Sequence, residues 1–200
     1  MKIPEFLNRD DYLQNPIMRR FLKKYKLEFV DNRIDYIKAI EEFGNQSKEN
    51  EQVVREWLLK VVKEGSKELC YRKIKKIGEW HKDPVLVKSK IKEIYPDCPM
   101  KNILDYKNNG KLKMIEYHIS TNDKGEVIKI EYTFSKLFLY GESGSLGDVT
   151  IFPVFVEVYL EEGFIVSRGK AKSTLYQYNE TNNFLSADSR IDTMTYAVSI

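Results

Sequence analysis

Residues 127–135 read VIKIEYTFS, and their alternation is strict: Ile128, Ile130, Tyr132 and Phe134 interleave with Lys129, Glu131, Thr133 and Ser135. A period of two puts the first set on one face and the second on the other, as a half-buried strand requires. A helix would scatter both sets around its circumference.

Working outward, Leu112 to Ile119 reads as the preceding strand, joined by a turn rich in Asn, Asp and Gly from Thr121 to Gly125. Downstream, Phe138 to Tyr140 prolongs the first strand, and the glycine-rich loop Gly141–Asp148 follows. Phe152, Val154, Val156, Val158 and Leu160 then give another alternating face, with Pro153 marking an edge or a bulge because it has no N–H to donate. Glu161-Glu162-Gly163 is a hairpin turn. Phe164 to Tyr178 returns, and Ile191 to Ile200 is a final strand. About five mostly antiparallel strands result, with one face on a core.

Before Asn108-Asn109-Gly110 the period is helical. Asn15-Pro16 opens a helix with the stripe Met18, Phe21, Leu22, Tyr25. Asp31 caps a second, with Ile34, Ile37, Ala39, Ile40 and Phe43, and Gly44 is its stop. A third, Asn50 to Glu64, has Val53, Val54, Trp57, Leu58, Val61 and Val62 inward. Ser66 to Ile77 is assigned to a fourth helix and Asp83-Pro84 to the start of a fifth, stopped at Tyr95-Pro96. The fold class is therefore α+β: a helical region at 1–108 and an antiparallel β region at 109–200, either separate or joined in one compact unit.

Hydrophobic residues make up 42% of the 200, enough to bury a core and to exclude a disordered chain. The start MKIPEFLNRDD turns acidic before an apolar run forms, so no signal peptide is read, and the least charged stretch, Ser143 to Val156, is too short and broken to span a bilayer. A cytoplasmic protein without membrane contact is expected.

Chemistry-bearing motifs are scarce. The two histidines, His81 and His118, and two cysteines, Cys70 and Cys98, show no metal-ligand spacing. GESGS is not GxSxG, and GESGSLG fits neither phosphate-cradling glycine pattern. No cofactor, metal or catalytic residue set is assigned. One catalytic alternative is a metal-dependent nuclease using strand carboxylates, with Glu116 and His118 on one strand face and Lys129 and Glu131 on the next.

Charge distribution says more. Residues 1–100 hold 22 Lys and Arg against 17 Asp and Glu, whereas residues 101–200 hold 11 against 13. Arg19 and Lys23 lie beside the Phe21–Leu22 stripe, Arg72 and Lys76 on the assigned fourth helix, and Lys88 and Lys92 along the fifth. Arg168, Lys170 and Lys172 alternate on one strand face that continues to Tyr176. Cations beside aromatic rings suit phosphate contact and base stacking, so a non-enzymatic module binding DNA or RNA is expected. The alternative partner is a protein, met as an interaction or inhibitor/adaptor surface through Phe155 and Tyr159, which oppose Val154 and Val156 on their strand.

Overall fold

A computed structural model of the chain describes residues 1–9, 12–65, 67–75, 78–107, 110–140, 148–170 and 175–177. The expected loop Gly141–Asp148, except for Asp148, which opens a strand, and the final strand at 191–200 lie outside the described residues. The fold is α+β, with two compact units, Met1–Ser66 and Lys67–Ile200. The sequence reading put its transition at 108–109; the sheet unit begins at Lys67.

The first unit contains α1 (Glu5–Arg9), α2 (Asn15–Lys24), α3 (Arg33–Gln46) and α4 (Lys48–Glu64). Its core joins Met18, Phe21 and Leu22 of α2, Tyr36 and Ile40 of α3, and Val54, Leu58, Val61 and Val62 of α4. Asn32, one residue beyond the expected Asp31, caps α3 by accepting from the Asp35 N–H, and Ser47 caps α4 by accepting from Asn50. Gly44 does not stop α3. It lies buried within the helix, where an added Cβ would meet the Met1 side chain at 3.0 Å. Close packing, rather than a turn, explains that glycine.

The second unit contains β1 (Lys67–Lys73), a 3₁₀ turn (Glu79–Lys82), α5 (Pro84–Ile94), β2 (Lys113–Thr121), β3 (Val127–Tyr140), β4 (Asp148–Tyr159), β5 (Phe164–Lys170) and β6 (Leu175–Gln177). The strand order is β1-β5-β4-β3-β2, all antiparallel, with β6 pairing the far end of β3. Asp83 caps α5 by accepting from Val85 and Leu86, as the Asp-Pro signal requires.

The fourth helix assigned to 66–77 is a correction: these residues supply strand β1. Cys70, Ile74 and Ile77 keep a helical spacing of four and three, but Lys67, Leu69, Tyr71 and Lys73 also keep a period of two, and so short a stretch is ambiguous by periodicity alone. All seven residues of β1 pair with β5, so ladder formation overrides a local propensity that was weak. Pro153 lies in β4, paired with Ser135 of β3 and just past Val154↔Gly169, where the described β4–β5 pairing stops.

One sheet face is apolar. Met114, Ile130, Phe134, Phe138, Phe152, Val154 and Val156 pack there with Val87 and Ile91 of α5. The opposite face carries the site.

Candidate nucleic-acid interface

Register builds this second face row by row, because directly paired residues share a side. One row runs Lys73, Phe164, Tyr159, Lys129, Ser120 across β1, β5, β4, β3 and β2. The next runs Tyr71, Val166, Glu157, Glu131, His118, and a third Leu69, Arg168, Phe155, Thr133, Glu116. Side chains from five strands and distant stretches of sequence are thereby collected on one surface.

Aromatic rings form its exposed end. Tyr159 stacks on Phe164 with centroids 4.5 Å apart, and Tyr71 lies 5.3 Å from Phe164 at a 32° tilt. Tyr71 is 64% exposed and Leu69 66%, a large apolar area open to solvent. The Lys129 ammonium sits 5.0 Å from the Tyr159 centroid. Lys73, exposed, stands at the other end of the row.

Charge pairs occupy the middle. The Glu157 side chain is only 4% exposed, yet it accepts from Lys129 at 2.9 Å and from Arg168. Lys129 also reaches Glu131 at 3.3 Å. Burial disfavours the Lys129 ammonium, but the hydrogen bond and charge of Glu157, joined by Glu131, outweigh it and hold its pKa above the ordinary lysine value. At the outer edge His118 Nε2 lies 3.2 Å from Glu116. Of the residues named for nuclease chemistry, Glu131 meets Glu157 through the Lys129 ammonium that lies between them, whereas Glu116 pairs with His118 one row away. Among the described residues no three His, Cys, Asp or Glu side chains form a group able to hold a metal ion.

The sequence-derived site residues divide between the two units. In the first, Arg19 is engaged: its Nε donates to Asp31 at 2.9 Å and to the Tyr36 hydroxyl at 2.6 Å. Lys23 is exposed on α2. In the second, Lys88 and Lys92 are exposed on α5, which packs against the apolar face, away from the aromatic ladder. Arg72 lies on β1, not on a helix, and its side alternates away from Tyr71. Arg168 and Tyr159 join the site. Phe155, 7% exposed, is buried beneath it, and Lys170, also 7% exposed, is enclosed. Lys76 and Lys172 lie outside the described residues. Tyr176 is placed only by its backbone, opposite Leu139.

Sequence reasoning missed Tyr71 and Phe164 as site members and placed Lys73 on a helix. For Tyr71 and Lys73 the signal was the period of two in KELCYRK, hidden by the helical assignment; for Phe164 it was the alternation with Arg168 along a strand already assigned. Compared with protein-family models, curated proteins and solved structures, the chain matches none. Among the described residues no helix is long and apolar enough to cross a membrane.

Proposed function

We propose that the protein is a binding module that holds single-stranded nucleic acid on the polar-aromatic face of its sheet. Tyr71 offers the open ring face for base stacking, held in place by Phe164 and Tyr159 packed behind it, and Lys73 and Arg168 take phosphates. The mechanism is occupancy, without bond chemistry.

The observation that supports this reading is the ring ladder itself: Tyr71 exposed to solvent beside the Phe164–Tyr159 stack, with Lys73 and Lys129 flanking the stacked pair along its row. Every base has a π-face, so such a ladder accepts single strands with little regard to sequence. A duplex hides those faces.

Fluorescence anisotropy with labelled single-stranded DNA, single-stranded RNA and duplex DNA tests it. Single strands should bind more tightly than duplex, and affinity should fall steeply as salt rises. Loss of one base–ring stack costs about 1–3 kcal/mol, so Tyr71→Ala should weaken binding roughly 5- to 150-fold while Tyr71→Phe retains it. No binding of any single strand at low salt would remove the proposal.

A further inference from the structure

A second surface, in the helical unit, has different chemistry. Ile17, Arg20, Phe21 and Lys24 of α2 follow an i, i+3, i+4, i+7 spacing, and so do Trp57, Lys60, Val61 and Glu64 of α4. Each set forms one helix ridge. With Tyr25 and Gly65 the two ridges wall a cleft of about 530 Å³.

The floor is apolar. Phe21 packs on Trp57 at 4.4 Å and on Tyr25 at 4.6 Å, and Phe43 of α3 closes on Tyr25 at 5.1 Å. Phe21 is 3% exposed, so these rings spend their faces on one another and leave little free for a base. The rim is cationic. Among the described lining residues Arg20, Lys24 and Lys60 are exposed there against one carboxylate, Glu64, which lies 3.7 Å from Lys60.

We infer that the α2–α4 cleft docks an acidic amphipathic helix of a protein partner. Charge decides the sign: three cations against one carboxylate select a partner with Glu or Asp beside its apolar stripe. Shape decides the element. The walls run for two helical turns, about 10 Å, and a third helix offering apolar side chains at i, i+3, i+4 and i+7 fills the same length. The floor of Ile17, Trp57 and Val61 takes those side chains, and Arg20, Lys24 and Lys60 bracket them. This site is independent of the sheet face proposed for nucleic acid.

Trp57 is the reporter, isolated by placing it in a Trp80→Phe background of the full chain. The probe is a synthetic peptide of about four helical turns, with Leu at i, i+3, i+4 and i+7 and Glu on its other positions. A composition-matched scramble and a single-stranded oligonucleotide serve as comparisons. The patterned peptide should move Trp57 emission to the blue, saturate, and gain helicity by circular dichroism, while the scramble and the oligonucleotide should not. Lys24→Glu with Lys60→Glu, both at exposed positions, should weaken the peptide about tenfold and reverse its salt dependence. Tyr71→Ala should leave it unchanged, which separates this site from the sheet. Equal binding of patterned and scrambled peptides, or a Trp57 response to the oligonucleotide alone, would overturn the inference.

Discussion

Lys67 on β1 lies directly across from Lys170 on β5, so the sheet's register places two ammonium groups on one face at the end of the same ladder. Lys170 is 7% exposed, and the Lys67 Nζ is shielded from solvent. Arg168 sits one step along that face and Glu68 beside Lys67 on β1.

Burial, reinforced by the Lys170 charge, lowers the Lys67 pKa from 10.5 to about 7. The sign follows from proton binding. Between about pH 7 and 10.5 the unfolded chain holds this proton and the folded chain does not, so unfolding takes up a proton and this contribution to stability rises with pH. Below pH 7 both states are protonated and the penalty is constant. Urea unfolding midpoints for Lys67→Met should exceed wild type at neutral pH, and the difference should shrink as pH approaches 10.5. A difference independent of pH would assign the effect to packing alone.

The Glu157 carboxylate holds the cations that the proposed nucleic-acid surface needs. Removing it leaves Lys129 and Arg168, both about three-quarters buried, without that partner. Glu157→Gln should therefore destabilise the fold by roughly 2–3 kcal/mol, below the cost for a fully buried pair because both cations keep some solvent. The same change releases positive charge toward phosphate. Binding of single-stranded DNA should tighten, and the slope of log affinity against log salt should steepen by about one unit. Stability and affinity moving in opposite directions is the diagnostic result. Affinity falling together with stability would indicate that Glu157 serves the fold only.

Much of the fold was legible because its signals are local. The alternation of residues 128–134, the Asn-Asp-Gly turn before it and the Asp83-Pro84 cap each act within a few residues, and each appears in the structure as β3, the β2–β3 hairpin and the start of α5. Glycine at 125 and 163 takes positive φ at the hairpin turns, again a local demand. β1 was illegible because its stability comes from β5, roughly a hundred residues away along the chain. The site was legible only in pieces. Arg168, Tyr159, Lys129 and Glu131 were visible as face residues, but which of them meet is set by cross-strand register, and the ladder could not be assembled while Tyr71 was read as helical. Arg19 looked like a free cation because Asp31 and Tyr36, which engage it, come from the next helix and its entry.

Arg33, at the first position of α3, ties the N-terminal segment to the helices. Its Nε donates to Asn8 Oδ1 at 2.9 Å, one terminal nitrogen donates to the Leu13 carbonyl at 2.7 Å and to Asn15 Oδ1 at 3.1 Å, and the other to the Asn8 carbonyl at 2.9 Å. Two of these partners are backbone carbonyls, one in α1 and one in the link between α1 and α2. A planar guanidinium can serve both at once, whereas a lysine ammonium cannot span the same set. Phe6, Leu7, Tyr12 and Leu13 are buried beside this clamp, so its loss would also loosen their packing. Arg33→Lys should cost about 1–2 kcal/mol and Arg33→Ala about 2–3 kcal/mol in urea unfolding. Amide hydrogen exchange gives the sharper reading. Protection should fall at Leu7 and Leu13, whose N–H groups donate to Pro4 and Leu7, while the sheet strands keep theirs. An Arg33→Ala protein that loses protection equally in both units would show instead that the clamp supports the whole chain.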